Sequence, residues 1–328
     1  MPDNSPDAIM RIATGFMASK HLFTASEIGL FEKLGGGPLT LGELASACAL
    51  PAHTVGISVD AMVSLGLIER AGDRYRNSAA AAAFQSGGPG RDQRPMLRVF
   101  DRISYGLWAG LEQAVRAGAG QSQFGRFSDE QQASYSAGVE AITQGSANAL
   151  ADAYDLSGHQ RVLDVGGGTG SLLIALLRRH PMLLGTLFDL PGACAVARER
   201  LARTPEGERV TVVEGDILKD ALPGGHDVIT VASTVHVLSE AANLDLLRAI
   251  RRTAAPGARL LLVDLWLDAG RGGPPRAAMM SGEFLVMSGE GRSYSEAEAD
   301  AWLQATGWRK LERRPLVADS SVIIAEPA

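Results

Sequence analysis

The sequence lacks the features that mark secreted, membrane-embedded or metal-centred proteins. Its two cysteines, Cys48 and Cys194, lie far apart and form no CxxC pair, so we expect no disulfide framework and a reducing cytoplasm as the compartment. The first residues have neither the basic nor the apolar region of a signal peptide. No apolar run approaches the roughly 20 residues of a membrane span. The histidines and acids show no spacing such as H-E-x-x-H, so we expect no metal.

Positive charge is also not in excess. The chain has 31 Lys and Arg residues against 37 Asp and Glu residues, which gives a formal net charge of −6. This balance argues against non-specific attraction to nucleic acid or anionic lipid. The hydrophobic fraction of 46% over 328 residues allows a substantial core, in two modest domains or one large one.

The first part of the chain, to about residue 85, has the pattern of a winged helix. Apolar residues recur at helical spacing, and a short two-stranded wing with a turn at Gly72 follows the helices. The predicted elements are a helix over 9–31, a capping box at Thr40 and Glu43, a helix over 51–65, and strands over 66–72 and 73–76.

The middle of the chain carries a loose set of aromatic residues. Residues 86–94 are rich in Gly, Pro, Gln and Arg and predict a linker or surface loop. Helical periodicity resumes over 97–117 and 129–156, with an irregular segment between them. The aromatic residues of these segments are Phe100, Tyr105, Trp108, Phe124, Phe127 and Tyr135.

After Gly158 strands and helices alternate. The strands are near-continuous apolar runs, which is typical of parallel strands covered on both faces. The alternation predicts a doubly wound, Rossmann-like α/β sheet. We therefore divide the chain into a winged-helix-like domain over 1–95, connecting helices over 96–157 and an α/β domain over 158–328. The predicted strands are 161–165, 184–189, 210–214, 228–233, 259–264, 309–314 and 321–325, and the predicted helices between them include 171–180, 192–202 and 242–253.

A glycine-rich turn follows the first of these strands. In Val162-Leu-Asp-Val-Gly-Gly-Gly-Thr-Gly170 a buried strand leads into a tight turn and then into a helix. Glycines there permit unusual φ angles and let a ligand approach the backbone. This pattern alone fits NAD as well as S-adenosylmethionine. We expect Gly166, Gly167, Gly168 and Gly170 to contact the cofactor.

Acidic residues favour S-adenosylmethionine over a dinucleotide. A dinucleotide site leaves the helix N-terminus open to an anionic pyrophosphate, whereas Asp164 at the mouth of the turn suits the ammonium end of a methionine moiety. Asp189 ends the second strand, where an acid bonds ribose hydroxyls. Asp216 follows the third strand and is placed to receive the adenine amino group, while Ile217 packs on the ring. We expect Leu190 and Ser233 to border the same site.

At this point the residues resemble the small-molecule O-methyltransferases of the plant type, in the branch found in bacterial secondary metabolism. Asp164-Val-Gly-Gly-Gly-Thr-Gly170, Phe188-Asp-Leu-Pro191 and Gly215-Asp216 are specific for that family, and the resemblance covers nearly the whole chain. It implies an intertwined homodimer in which the N-terminal helices of one subunit help to close the substrate pocket of the other. The winged-helix shape also leaves a DNA-binding regulator as an alternative, but the helix over 51–65 holds no Lys or Arg.

The resemblance also implies the catalytic residues. His236 follows the fourth strand and aligns with the family's general base, and Asp264, at the end of the fifth, matches the acid that orients it. Two departures stand out. The residues after His236 are Val237-Leu238 rather than Asp-Trp, and the family's later acid meets Glu290 only with a shift of one position. These changes leave C- or N-methylation, or a reaction without methyl transfer, as alternatives.

The acceptor pocket is expected from the mid-chain aromatics and from a later apolar segment. The acceptor is expected to be an aromatic or polyketide-like metabolite that offers a hydroxyl or carboxylate oxygen, and an NAD(P)-dependent oxidoreductase is the rival enzyme class. The candidate pocket residues are Phe100, Tyr105, Trp108, Phe124, Phe127, Trp266, Met279, Met280, Phe284 and Met287.

Overall fold

The computed structural model describes residues 5–85 and 92–328. The chain forms two compact units, Met1–Ile103 and Ser104–Ala328. Most of the predicted linker at 86–94 lies outside the described residues, and the division at residues 95 and 157 stays a prediction. Among the described residues, no helix combines the length and the apolar character needed to cross a membrane.

The N-terminal unit consists of short helices around a small antiparallel sheet. The helix predicted over 9–31 is three helices. The first break falls at Thr14, and Gly29, in a left-handed conformation (φ 77°), separates the second helix from the third. The capping box is confirmed, since the Thr40 amide donates to Glu43 Oε2 at 2.8 Å. The elements are α1 (Asp7–Ala13), α2 (Gly15–Glu27), α3 (Leu30–Leu34), β1 (Leu39–Thr40), α4 (Leu41–Cys48), α5 (Ala52–Ser64), β2 (Ile68–Ala71), β3 (Arg74–Asn77), α6 (Ala79–Gln85) and α7 (Arg94–Val99), followed by a π-helical turn (Phe100–Ser104).

The predicted wing is present in this unit. Strands β2 and β3 pair in antiparallel register from Ile68 opposite Asn77 to Ala71 opposite Arg74, and β1 adds a third short strand beside β3. Helix α5 buries Val55, Val59 and Met62 in the unit's core. The apolar face of α5 is therefore used for packing inside the unit.

The C-terminal unit begins with a broken helical stretch and continues as alternating strands and helices. The helix predicted over 97–117 is interrupted by the π-helical turn Phe100–Ser104 and by a 3₁₀ turn over Trp108–Gly110. Helix α15 was not predicted, although a capping box at Ser295 and Glu298 starts it. The elements are α8 (Tyr105–Leu107), a 3₁₀ turn (Trp108–Gly110), α9 (Leu111–Ala117), α10 (Asp129–Ala153), β4 (Arg161–Val165), α11 (Ser171–Arg179), β5 (Leu184–Asp189), α12 (Pro191–Leu201), a 3₁₀ turn (Pro205–Arg209), β6 (Val210–Glu214), β7 (His226–Ala232), a 3₁₀ turn (Val235–Val237), α13 (Glu240–Thr253), β8 (Ala254–Asp264), α14 (Pro275–Ser288), α15 (Glu296–Ala305), β9 (Trp308–Pro315) and β10 (Ser321–Pro327).

These strands form one sheet in the order β6-β5-β4-β7-β8-β10-β9. The first five strands are parallel, and β10 is antiparallel to both of its neighbours. The chain moves outward from β4 to β6 and then returns to β7 on the other side of β4. The carboxyl ends of β4 and β7 therefore flank the switch point, where ligands bind in open α/β sheets. The predicted α/β class is confirmed.

Apolar cores cover both faces of the sheet. In β4, Val162 packs into one core, and Leu163 and Val165 pack into the core on the opposite face. Asp164 alternates with these residues and is consequently enclosed, at 1% exposure. A carboxylate in so covered a strand needs a role that offsets its desolvation.

Candidate active site

The turn between β4 and α11 can be built only with glycine at several positions. Gly166, Gly168 and Gly170 have φ angles of 71°, 55° and 79°, which disfavour any residue with a Cβ. A Cβ on Gly166 would lie 2.6 Å from the Thr234 hydroxyl oxygen, and one on Gly167 would lie 2.8 Å from Cγ of Leu187. The turn thus keeps its backbone bare at the carboxyl end of the sheet.

Asp164 lies beneath this turn rather than at its open mouth. One carboxylate oxygen, Oδ1, accepts a hydrogen bond from the Thr230 hydroxyl at 2.7 Å, and the other has no partner among the described residues. Burial raises the pKa of Asp164 to about 7. A Cβ on Gly167 would come within 2.9 Å of the unpartnered oxygen. A buried carboxylate oxygen without a donor, directly under a bare backbone, fits the ammonium group of S-adenosylmethionine.

Asp189 ties the end of β5 to the same turn. Its two oxygens accept hydrogen bonds from the backbone amides of Gly168 and Leu190, both at 2.7 Å. Burial raises its pKa, while these two amides act in the opposite direction. The Leu190 side chain is 45% exposed at the start of α12, although it is large and apolar. An oriented carboxylate beside an uncovered apolar side chain suits a nucleoside.

The next strand ends contribute Asp216 and Ser233. The Asp216 carboxylate accepts from Lys219 Nζ at 2.6 Å and from the Leu218 amide at 2.9 Å, and the contact with Lys219 is the main cause of its lowered pKa. Ile217 packs against the core. Ser233 has a φ of 52°, and such backbone strain in a non-glycine residue tends to mark functional sites.

Glu140, on α10, was missed by the sequence analysis. Its carboxylate accepts from the hydroxyls of Thr169 and Ser171, at the start of α11, and pairs with Arg200 on α12. Arg200 also donates to both hydroxyls. In a dinucleotide site this helix N-terminus receives the pyrophosphate, whereas here the Glu140–Arg200 pair engages it. No local pattern of the sequence pointed to Glu140.

His236 and Asp264 lie together at the ends of β7 and β8. His236 Nδ1 is 2.7 Å from Asp264 Oδ1, which also accepts from the Leu265 amide at 2.7 Å. A carboxylate at Nδ1 holds the proton there and leaves Nε2 as the acceptor. Phe284 stacks on the imidazole with ring centroids 3.8 Å apart and an interplanar angle of 15°. The imidazole is therefore fixed on one edge and on one face.

Glu290 does not join this pair. Its side chain is exposed, and no hydrogen bond or ion pair links it to His236 in the part of the chain that the structure describes. The next residue, Gly291, packs closely on the loop of the proposed base, since a Cβ there would lie 2.2 Å from the carbonyl oxygen of His236. The expectation that Glu290 assists His236 is corrected accordingly.

Several predicted pocket residues gather near α14. Phe124, Phe127 and Tyr135 form an aromatic cluster with ring centroids 5.4 to 6.5 Å apart. The segment carrying Phe124 is joined to α14, because the Gln123 amide donates to the carbonyl of Met287 at 2.8 Å.

The other predicted pocket residues differ in their exposure. Trp266 is fully buried in the core, out of reach of any acceptor, and its assignment to the pocket is corrected. Phe284 and Met287 are buried and Met280 is half-buried, whereas Tyr105, Trp108 and Met279 are exposed and Phe100 belongs to the N-terminal unit.

A second acid, Glu283, was also missed. It is buried at 7% exposure, and it accepts hydrogen bonds from the Ser104 hydroxyl at 2.5 Å and from the Trp108 indole at 2.6 Å. Its position could have been noticed, since it interrupts the helical stripe of Met280, Phe284 and Met287 with a charge.

The fold and the site define a nucleoside-binding α/β enzyme with an oriented histidine side chain. Within residues 5–85 and 92–328, no group of three or more His, Cys, Asp and Glu side chains is arranged to hold a metal ion. A family model described as the O-methyltransferase domain matches residues 108–309, and one described as the O-methyltransferase dimerisation domain matches residues 10–87.

Individual proteins agree with these models. The 3-hydroxy-5-methyl-1-naphthoate 3-O-methyltransferase of Streptomyces sahachiroi is 33% identical, over 92% of this chain and 89% of the relative. The tetracenomycin polyketide synthesis 8-O-methyl transferase TcmO of Streptomyces glaucescens is 32% identical, over 92% and 91%. The crystal structure of human N-acetylserotonin methyltransferase in complex with S-adenosylmethionine matches with a TM-score of 0.89 and 26% identity, over 100% of both chains.

The chain belongs to the O-methyltransferase family, which confirms the resemblance seen in its sequence. It is an S-adenosylmethionine-dependent O-methyltransferase with the family's dimerisation domain at its N-terminus. The oxidoreductase alternative is thereby set aside.

Proposed function

We propose that the protein methylates a hydroxyl group of a small aromatic or polyketide-like secondary metabolite, with His236 as the general base. The observation that carries this proposal is the 2.7 Å contact between His236 Nδ1 and Asp264. The naphthoate and tetracenomycin relatives support the choice of acceptor class, because their names describe fused-ring polyketide-type substrates.

Each residue of the site has a separate role in methyl transfer. S-adenosylmethionine supplies an activated methyl group on a sulfonium. His236 Nε2 takes the proton from the acceptor hydroxyl as the oxygen attacks the methyl carbon, and the bond from that carbon to sulfur breaks to release S-adenosylhomocysteine. Asp264 stabilises the imidazolium that forms. Phe284 keeps the imidazole in place, and together they orient the acceptor in line with the methyl group.

The cofactor contacts are part of the same proposal. Asp164 would hold the ammonium group, Asp189 the ribose hydroxyls and Asp216 the adenine amino group, with Leu190, Ile217 and Ser233 bordering the nucleoside. The bare turn at 166–170 supports this assignment because it lets the ligand reach the backbone amides.

The test is incubation with labelled cofactor and a panel of phenols, hydroxynaphthoates and hydroxyquinones. We expect methyl transfer to at least one of them, and His236→Ala to lower kcat by about a hundredfold to ten-thousandfold while the Kd for the cofactor stays within about twofold. His53→Ala, at an exposed histidine of α5, is the matched control. Full activity in His236→Ala would remove this residue from the mechanism, and tight cofactor binding without transfer to any acceptor would contradict the proposed reaction.

We also infer that the protein is a cytoplasmic homodimer assembled through its N-terminal unit. Large apolar side chains are exposed on α1 and α2, among them Ile9, Ile12 and Phe16 at 70%, 81% and 53%. Exposed apolar patches of this kind are usually covered in an assembly. Both cysteines are free, as the reducing cytoplasm requires. Light scattering should give twice the chain mass, and Ile12→Asp with Phe16→Asp should shift it toward the monomer; a monomeric wild type would contradict this inference.

A further inference from the structure

We propose that Glu283 selects the acceptor, and that it favours molecules carrying a protonated amine over neutral or carboxylate-bearing analogues. This inference rests on the proposed function, because it concerns the molecule that receives the methyl group. It goes further by assigning a charge to that molecule.

Glu283 lies on the face of α14 that meets the base. Residues three and four apart share a face of a helix, so Met280, Glu283, Phe284 and Met287 form one stripe. Phe284 in this stripe stacks on His236. Glu283 is the only charged residue of the stripe and therefore places a carboxylate beside the ring that packs on the proposed base.

The charge of Glu283 has no counter-ion. Its carboxylate is bonded by two neutral donors, the Ser104 hydroxyl and the Trp108 indole, and no Lys, Arg or His pairs with it in residues 5–85 and 92–328. Burying an ionised carboxylate without a cation is unfavourable. In contrast, the half-buried carboxylate of Glu140 is paired with Arg200. A positively charged group on the acceptor would complete the site around Glu283.

The indole that donates to Glu283 is itself partly exposed. The Trp108 ring covers Gly282, where a Cβ would come 2.8 Å from the indole, yet Trp108 is 39% exposed. A molecule stacked on this indole would be separated from the Glu283 carboxylate only by the Trp108 side chain. The negative charges of Glu283 and Asp189 both contribute to the raised pKa of Tyr135, after burial, which places the Tyr135 hydroxyl within the field of both acids.

Ser104 and Trp108 orient the carboxylate without neutralising it. Each oxygen receives one donor, so each retains a lone pair for a further hydrogen bond. An ammonium group forms charge-assisted bonds with a carboxylate that are roughly twice as strong as neutral ones. A carboxylate on the acceptor would instead be repelled.

The experiment measures acceptor binding to the protein loaded with S-adenosylhomocysteine. Three probes share one hydroxyindole ring and differ in side-chain charge: 5-hydroxytryptamine is cationic, its N-acetyl derivative is neutral and 5-hydroxyindole-3-acetate is anionic. We expect the cation to bind about tenfold or more tighter than the neutral probe, and the anion to bind weakest. Glu283→Gln, which keeps the shape and one acceptor oxygen, should reduce the cation preference to about twofold or less.

Two controls separate this role from a structural one. Glu112→Gln removes the same charge from an exposed position on α9 and should keep the wild-type order of affinities. If Glu283 acted only as a clamp for Ser104 and Trp108, Glu283→Gln would weaken all three probes by the same factor and lower the melting temperature. That result, or a wild-type protein that does not bind the amine more tightly than its analogues, would overturn the proposal. Methyl transfer from labelled cofactor is assayed separately, so failure of the proposed reaction is distinguishable from failure of the amine preference.

Discussion

The proposed cofactor side of the site combines a bare glycine turn with carboxylates at the ends of strands, whereas the proposed acceptor side consists of side chains alone. On the cofactor side, bare glycines and the amides of Gly168 and Leu190 are held by Asp189. On the acceptor side, His236 follows β7 while Glu283 and Phe284 lie on α14, and these two elements meet only in the folded chain. The first side suits a ligand that never changes, and the second can be altered one side chain at a time. A family can in this way keep one methyl donor while it varies the acceptor.

The prediction with the largest expected effect tests whether catalysis can be lost on the acceptor side while cofactor binding is retained. Asp264→Asn keeps the size of the side chain but lets the amide donate to Nδ1, which favours the wrong tautomer of His236 and removes the base. We expect kcat to fall by about a thousandfold and the cofactor Kd to change by less than about twofold. Steady-state kinetics and calorimetry on the same preparation check this. An equal loss of cofactor affinity would show that the two sides are not separable.

The converse change should damage the cofactor side first. Gly166→Val forces a β-branched residue to a φ of 71° and brings its Cβ to 2.6 Å from the Thr234 hydroxyl. We expect the Kd for S-adenosylmethionine to rise by about a hundredfold, on the scale of strain and lost backbone contacts. Gly192→Val, at a glycine with open space around its Cβ position, serves as the control. Wild-type affinity in Gly166→Val would contradict the assignment of this turn to the cofactor.

A smaller effect concerns the pH dependence of cofactor binding. The pKa of Asp164 is raised to about 7 in the free protein, and an ammonium ligand stabilises the ionised form and lowers that pKa. Binding therefore releases a proton below pH 7. The affinity for the cofactor rises by up to about tenfold per pH unit until about pH 7 and is constant above it. Calorimetry in buffers of different ionisation enthalpy detects the proton.

Asp164→Asn should flatten this pH profile. Asp216→Asn should weaken binding yet keep the slope, because the pKa of Asp216 is lowered by Lys219 and lies outside the range. A slope that persists in Asp164→Asn would assign the proton to another group.

The smallest expected effect is on the free energy of unfolding. The substitution that tests it should leave both sides of the site unchanged. His226 is buried with Nδ1 unpartnered, and burial lowers its pKa below the ordinary value of about 6.5. The unfolded chain then binds the proton more readily, so this residue destabilises the folded protein as pH falls through 6.5 toward the folded-state pKa. Urea unfolding at pH 8 and pH 5.5 should show a smaller loss of stability in His226→Gln than in wild type. An equal loss in both proteins would contradict this role.

The difference between local sequence signals and contacts between distant residues decides how much of the structure the sequence could predict. Strands β4, β5 and β6 were predicted to the residue, because an apolar run followed by a glycine or acid is a local signal. The proximity of His236 and Asp264 was also accessible, since each lies at or just beyond the carboxyl end of one of two neighbouring parallel strands. The contacts of Glu140 and Glu283 were not accessible, because their partners lie 29 and 175 residues away in sequence on elements brought together only by packing. The exposure of Glu290 and the close approach of Gly291 to His236 depend on tertiary packing, which no motif reveals.

Helix α10 connects the two sides. Tyr135 near its start belongs to the aromatic cluster, and Glu140, little more than one turn later, is bonded to the start of α11 beside the glycine turn. Helix α10 therefore contacts the surroundings of both proposed ligand sites, and a shift of this helix changes both sites together. Such coupling is reciprocal. If binding of the acceptor moves Tyr135 and changes the affinity for the methyl donor by some factor, binding of the donor changes the affinity for the acceptor by the same factor.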